Sequence, residues 1–277
     1  MKVRMYNVGF GDCFCLRDRK KSLLVDFGTN NSRIEGRPRR EIFDVIISDL
    51  STIKSKNLLL THFHMDHLSG LLYMMKKKDI SVDFGKIYLP DVFSKKEMSR
   101  TLVLLLLADL LKESGLPSRQ VSLFALVDAL LENKQNVELL SRGKLFENKY
   151  QALWPDTDVI RKETDEVYNR ICEDGKFKEV MDVLLEFAEK LRLIVWSMTA
   201  EGNKPAETVE KETDLTASEL TEQPEVRQKI IRAYVYEREF RRIKALPDFK
   251  KLLAWLNENQ INLRQLSLIH ISEPTRP

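Results

Sequence analysis

The sequence predicts an α/β fold in which helices pack on a sheet, because strand and helix patterns alternate along the first third of its 277 residues. Ser22–Gly28 is an apolar segment that ends at a glycine, as a strand often does. Arg40–Leu50 repeats apolar residues at helical spacing, and Asn57–Leu60 is a short apolar run typical of a buried strand. A hydrophobic fraction of 43% is sufficient for such a fold to bury a core.

The other elements of this part of the chain follow in a regular order. Lys2–Val8 alternates polar and apolar residues like a half-buried strand, and the charged run Arg17–Lys21 is typical of a hairpin turn. We expect a polar loop over Thr29–Arg39 and a helix from Leu68 onward. The remaining predicted strands are Cys13–Leu16 and Lys86–Pro90.

Helical patterns dominate the second half of the sequence. Ser94–Glu132 is mainly helical, and Asn136–Pro155 returns to short strands around a turn at Gly143. We therefore divide the chain into an N-terminal half, residues 1–155, and a helical insertion, residues 156–265. The insertion contains an acidic linker near residues 200–223, which offsets the charge of the basic helix that follows it. We interpret that helix as a solvated face rather than a nucleic-acid site, and the insertion could bind a protein partner.

Composition limits the location and the partners of the protein. The formal net charge of +3 is too small to indicate a nucleic-acid partner by itself, and the odd count of 3 cysteines predicts no disulfide framework. The N-terminal residues contain no apolar run long enough for a signal peptide. The leucine-rich run from Thr101 is too short to cross a bilayer and contains Asp109. We therefore expect a cytoplasmic protein without a membrane partner.

The segment "NLLLTHFHMDHLSG" contains three of the chain's 4 histidines, His62, His64 and His67, together with Asp66. In extended backbone, the spacing of two between His62 and His64 directs both rings to the same side. Asp66 and His67 follow where the chain turns into a helix, so they can supply a second position close by. Two metal ions roughly 3.5–4 Å apart can clamp a reacting group between them, and the layout therefore favours a dinuclear hydrolase site. Asp26, at the end of another strand, is a candidate to orient a ligand histidine.

The same residues carry a resemblance to a known family. "THFHMDHLSG" resembles the Thr-His-x-His-x-Asp-His motif of the metallo-β-lactamase superfamily, and "LLVDFG" resembles the earlier strand of that superfamily. "MYNVGFGDCFCL" and "ALWP" resemble one branch, the metallo-hydrolase domain of competence-type DNA-uptake channels, although Asn7 and Phe10 depart from the pattern of that branch. The resemblance covers roughly the first 155 residues and implies a partial αβ/βα metallo-β-lactamase fold interrupted by the helical insertion.

The resemblance also implies a function and a set of roles. It implies two zinc ions, with His62 and His64 on the first and Asp66 and His67 on the second, and Asp66 would also orient the attacking hydroxide. A zinc-bound hydroxide would hydrolyse an ester, a phosphodiester or a similar bond, and the DNA-uptake branch favours phosphodiesters or nucleic acid. The alternative is a non-catalytic interaction module that uses the same α/β scaffold.

The family pattern requires further ligands, but no histidine occurs between His67 and His270. Leu266–Pro277, "LSLIHISEPTRP", resembles the peptide that arises when a sequencing adapter is translated. We therefore interpret residues 266–277 as a non-native tail, expect the chain to lack downstream ligands, and expect weak metal binding and little hydrolysis from it.

Two weaker signals lie near the N-terminus. Cys13 and Cys15 fall on the same side of a predicted strand, and we interpret them as small core residues rather than ligands. Asp12 could orient the site or close a turn, and the sequence leaves these alternatives open.

Overall fold

The computed structural model describes residues 1–18, 21–77, 83–113, 123–133, 135–173, 175–199, 238–259, 261 and 263. The chain divides into two compact units. The first comprises Met1–Asp91, Leu105–Asp158 and Leu263–Pro277, and the second comprises Val92–Leu104 and Val159–Asn262. The predictions made for the linker at 200–223 and for the tail at 266–277 lie outside the described residues. None of the helices in the described ranges combines the length and apolarity that a membrane crossing requires.

The first unit contains a mixed sheet with layered helices, which confirms the predicted α/β class. The sheet has 6 strands in the order β1-β2-β3-β6-β7-β8. Neighbours among β1, β2 and β3 are antiparallel, whereas β3, β6, β7 and β8 run parallel. The strands are β1 (Lys2–Met5), β2 (Phe14–Asp18), β3 (Lys21–Val25), β4 (Arg33–Ile34), β5 (Arg37–Pro38), β6 (Lys56–Leu59), β7 (Ile87–Pro90), β8 (Val137–Leu140), β9 (Leu145–Phe146) and β10 (Tyr150–Gln151).

Helices connect the parallel strands, as parallel pairing requires. The helices are α1 (Arg39–Ser51), α2 (Met65–Lys76), α3 (Ser99–Glu113), α4 (Leu123–Glu132), α5 (Thr157–Cys172), α6 (Lys178–Ser197), α7 (Arg238–Ala245) and α8 (Pro247–Glu258). A short 3-10 turn at Lys96–Met98 precedes α3. The Phe43 ring of α1 meets the Phe27 ring edge-on at 5.3 Å and the Tyr73 ring of α2 at 5.6 Å between centroids. This aromatic contact holds α1 and α2 together on one face of the sheet.

Alternation along the strands divides the core between the two faces of the sheet. Cys15, Leu24 and Leu58 are paired across β2, β3 and β6 and are completely buried, which agrees with the interpretation of Cys15 as a core residue. On the opposite face, Leu23 and Tyr88 pack in a cluster with residues of the β9–β10 hairpin and its flank, namely Phe146, Tyr150 and Ala152.

Several element boundaries differ from the sequence predictions for identifiable reasons. The strand predicted to run to Gly28 ends at Val25, because Asp26 adopts a φ of 54° that cannot continue a strand. β2 extends to Asp18, which pairs with Lys21. Strand pairing therefore includes both ends of the turn predicted over Arg17–Lys21. The predicted polar loop contains the small hairpin formed by β4 and β5.

The second unit is helical in its described residues. α6 buries one continuous face, on which Leu184, Phe187 and Leu191 are completely buried. Buried Arg192 donates from Nε to Glu189 at 3.0 Å, and Glu189 also accepts a hydrogen bond from Ser99. A buried charge without a partner would destabilise the fold, and these contacts give partners to both the Arg192 guanidinium and the Glu189 carboxylate.

Candidate metal centre

The candidate site lies at the carboxyl ends of β3 and β6. Asp26 follows β3 directly, and the segment from Thr61 to His64 follows β6 before α2 begins at Met65. Because β3 and β6 are parallel neighbours, their carboxyl ends meet at the same edge of the sheet. Open α/β sheets bind ligands at this edge, since the loops there are free to carry polar side chains.

Asp26 is held on three sides by hydrogen bonds. Its backbone N–H donates to Leu59 O at 2.8 Å, which extends the pairing with β6 by one residue before the backbone turns. Its carboxylate accepts from the Thr61 backbone N–H at 2.8 Å and from the Thr61 hydroxyl at 2.8 Å. Burial raises the pKa of the Asp26 carboxyl, although these hydrogen bonds and the one to His67 oppose that shift. Hydrogen bonds to both the backbone and the side chain of Asp26 therefore hold it at its left-handed φ of 54°.

His67 lies in the first turn of α2 and is surrounded by carboxylates. Its Nδ1 lies 2.9 Å from Asp26 Oδ2 and 3.6 Å from Asp12 Oδ2, and its Nε2 lies 3.9 Å from Asp66 Oδ1. Burial opposes the charged ring, but the hydrogen bond to Asp26 and the surrounding carboxylates outweigh it, so the pKa of His67 lies above its ordinary value. When the ring is neutral, Nδ1–H donates to Asp26 and leaves the Nε2 lone pair directed to the side of Asp66.

His62 is the second histidine with a defined tautomer. The single proton of the Thr61 hydroxyl is donated to Asp26, so the contact of 2.9 Å between Thr61 Oγ1 and His62 Nδ1 requires Nδ1 to carry the hydrogen. His62 Nε2 then presents a lone pair, and this buried atom has no hydrogen-bond partner. Burial, together with the neighbouring His67 and His64, lowers the pKa of His62 to about 2, so the ring is neutral at physiological pH.

The rings of the three histidines lie close together. The His62 and His67 rings are 3.7 Å apart between centroids, and the His62 and His64 rings are 4.9 Å apart. His64 is buried beside His62, with 3% of its surface exposed. The pairs lie at tilts of 52° and 72°, so they are not parallel stacks.

Two groups of side chains within the described ranges have ligand atoms close enough to hold a metal ion. His62, Asp66 and His67 form one group, Asp12, Asp26 and His67 form the other, and in each group the atoms lie within 4.8 Å of one another. The nitrogen and carboxylate donors of the first group are those that zinc and similar ions prefer. The second group is less suitable, because both oxygens of Asp26 already accept hydrogen bonds. The unpartnered lone pair of His62 therefore selects the first group.

Two glycines allow the first turn of α2 to pack directly on the strand-end loops. A side-chain carbon added at Gly28 would lie 2.6 Å from Met65 O, Asp66 C and Leu68 N. One added at Gly11 would lie 2.8 Å from Asp66 O. This close approach permits the hydrogen bonds from Phe27 N to His67 O at 2.7 Å and from Asp12 N to Asp66 O at 3.2 Å. The backbone of Asp66 and His67, the two candidate ligands on α2, is therefore held in place by the loops that contain Gly11 and Gly28.

The structure places the sequence-predicted residues at one edge of the sheet, but it brings only the ligand atoms of His62, Asp66 and His67 within 4.8 Å of one another, and His64 belongs to neither group. Asp66, His67 and His62 form the first group, His64 lies beside His62, and Asp26 contacts His67. Thr61 was not predicted, although it connects Asp26 to His62, and the signal was its position directly before the first histidine of the motif. Asp12, which the sequence left between two roles, lies 3.6 Å from His67 Nδ1.

Comparison with protein families gives a match that covers the candidate site. Residues 6–91 match the family model of the metallo-beta-lactamase superfamily. This range includes every residue of the candidate site, and the mixed sheet is consistent with part of the fold of that superfamily. Neither curated proteins nor solved structures yielded a match.

Proposed function

We propose that the protein is a metal-dependent hydrolase whose site is formed by His62, His64, Asp66 and His67. The observation that carries the proposal is the buried, unpartnered Nε2 atom of His62 beside Asp66 and His67. A buried polar atom without a partner costs about 1–3 kcal/mol, and a metal ion at this position would remove that cost. The superfamily match at residues 6–91 supports the same conclusion.

The proposed ions are zinc, two per site, and the proposed substrates are esters, with phosphodiesters or nucleic acid favoured. Zinc bound here would supply a nucleophilic hydroxide and polarise the scissile bond. His62 binds through Nε2, because its Nδ1 hydrogen is held by Thr61. His67 binds through Nε2 for the same reason, with Asp26 holding its Nδ1. Asp66 would contribute a carboxylate that is partly open to solvent and would orient the attacking hydroxide.

The test combines metal content with turnover. The purified chain is loaded with zinc, dialysed and analysed for bound metal, and hydrolysis of bis(p-nitrophenyl) phosphate is measured on the same samples. Because four side chains shared between two ions leave each ion short of a full shell, we expect weak binding and slow turnover. His64→Ala and Asp66→Ala should each remove turnover and reduce bound zinc while the fold is retained. Asp83→Asn, which changes an exposed carboxylate outside both groups, is the matched control.

The outcomes separate this proposal from its alternative. Zinc binding that depends on His64 and Asp66, with turnover that follows it, supports the hydrolase. Zinc binding without any turnover would favour the non-catalytic module on the same scaffold. A chain that binds no zinc at all would contradict both the metal centre and the hydrolase.

A further inference from the structure

An open pocket of about 580 Å³ adjoins the candidate metal centre and has Asp66 on its wall. It lies within the size range of about 300–1,000 Å³ that is usual for small-molecule sites, so it can hold one nucleotide-sized group but not a duplex. The neighbouring loops supply an aromatic ring, polar side chains and one positive charge. The lining residues are Phe10, Asn30, Asn31, Ser32, Arg33 and Asp66.

Phe10 is the most exposed large apolar side chain of the described residues, with 80% of its surface open to solvent. Its backbone is nevertheless fixed, because its N–H donates to Asn31 Oδ1 at 3.0 Å and its carbonyl accepts from Asn30 N at 2.8 Å. The Thr29 hydroxyl donates to the same carbonyl at 3.2 Å. An exposed ring on an ordered loop loses little entropy when a ligand stacks on it, which favours recognition of a flat group.

Arg33 belongs to the β4–β5 hairpin, whose geometry also limits its motion. The two turn residues, Glu35 and Gly36, have φ values of 49° and 78°, as in the tight turns that match strand twist. Arg33 Nε donates to Gly36 O at 3.0 Å, which anchors the guanidinium and leaves its outer nitrogens available. Arg33 makes no ion pair with a carboxylate of the described residues, whereas the neighbouring acid Glu35 accepts a hydrogen bond from Asn7. Such a guanidinium is suited to bind a phosphate.

We propose that this pocket is the substrate-recognition site and that it binds a nucleotide unit, with the base stacked on Phe10 and the phosphate on Arg33. Asn30, Asn31 and Ser32 supply the polar edges between these contacts. The inference rests on the proposed function, since Asp66 connects the pocket to the metal centre where the ester would react. The base must be unstacked from its neighbours to reach Phe10, so the unit comes from a free nucleotide or from a single strand.

The test measures binding of fluorescein-labelled oligo(dT) of four nucleotides by anisotropy, with the full chain in a chelator that prevents hydrolysis. Phe10→Ala should weaken binding about tenfold, as loss of one base–aromatic stack does, and Phe10→Tyr should retain it. Arg33→Gln should weaken binding and lower the slope of log K against log salt by about 0.7, as loss of one phosphate contact on a single strand does. The matched controls, which should change nothing, are Leu153→Ala, another highly exposed apolar side chain, and Arg37→Gln, another exposed arginine of the hairpin.

Competition and turnover distinguish the sources and the possible failures. Displacement of the probe by thymidine 5′-monophosphate identifies a free nucleotide as sufficient, and displacement by the unlabelled strand alone identifies the strand. Equal competition by thymidine 5′-carboxylic acid, or unchanged binding in both Phe10→Ala and Arg33→Gln, would overturn the proposal. Phe10-dependent binding with no zinc-dependent turnover of p-nitrophenyl thymidine 5′-phosphate would refute the hydrolase and leave the pocket assignment intact.

Discussion

His67 Nδ1 lies 2.9 Å from Asp26 Oδ2, although 41 positions separate the two residues in the sequence. The contact connects the end of β3 to the first turn of α2. It determines which nitrogen of His67 can bind a metal. Because Nδ1–H donates to Asp26, the lone pair of Nε2 is the one available to a metal ion. The site is therefore oriented by a residue whose two carboxylate oxygens already accept hydrogen bonds from Thr61 and His67.

Asp26→Asn should separate orientation from backbone conformation. Asparagine tolerates the left-handed φ of 54°, so the turn after β3 should persist. The amide oxygen can still accept a hydrogen bond from Thr61 N. The amide –NH2, however, would face the Thr61 hydroxyl and His67 Nδ1, and it cannot accept the hydrogen bonds that the carboxylate accepts. We expect zinc affinity, measured by chelator competition, to fall about 10–100-fold, as is usual for loss of such an orienting partner. Asp44→Asn, which alters a surface carboxylate bonded to Tyr73 and Lys77, should leave zinc affinity unchanged.

Thr61→Val keeps the shape of the side chain but removes the hydroxyl that links Asp26 and His62. The His62 ring would then lose the contact that places the hydrogen on Nδ1, and zinc binding should weaken about tenfold. Thr61→Ser restores the hydroxyl and should recover most of the affinity. Equal zinc affinities in the valine and serine variants would show that the hydroxyl does not set the tautomer.

His62→Leu should stabilise the metal-free protein and abolish its stabilisation by zinc. In the metal-free protein, it removes a buried nitrogen that has no partner, and we expect the free energy of unfolding to rise by about 1 kcal/mol. Zinc should no longer raise the melting temperature of this variant, whereas it should raise that of the parent chain. Urea unfolding with and without zinc measures both effects. A metal-free variant that is less stable than the parent would show that the unpartnered Nε2 atom of His62 does not destabilise the parent.

Gly28→Ala should disturb the site without touching any ligand. The new methyl group would lie 2.6 Å from backbone atoms of α2, so the helix must shift, at a cost of about 1–3 kcal/mol. Zinc affinity should fall with it, because Asp66 and His67 move together with that turn. Gly143→Ala is the control: its φ of 88° makes alanine strained by about 1–2 kcal/mol, but nothing lies within 4 Å and zinc affinity should not change.

The local parts of the fold and site could be predicted from the sequence. β6, α2 and the histidines between them occupy one continuous segment, so the apolar run and the motif spacing were sufficient to predict a polar cluster at a strand end. The burial of Cys15 likewise followed from strand alternation.

Features that depend on contacts between distant segments could not be predicted. The end of β3 is set by the conformation of Asp26, which is stabilised by Leu59 and Thr61 and has no local sequence signal. The hairpin that carries Arg33 has strands of two residues, too short to show an alternating pattern within a polar segment. The roles of Thr61 and Asp12 also depend on which strand ends become neighbours.

The close backbone packing at Gly11 and Gly28 has a consequence for large-scale mutagenesis. In a scan that scores every substitution by activity alone, both positions should tolerate almost nothing and should be indistinguishable from the histidines. A parallel scan of protein abundance would separate the two classes: the histidine variants should accumulate normally, while substitutions at these glycines should deplete the protein itself. Intolerance to substitution around this centre thus reports the distance between two backbones as strongly as it reports chemistry.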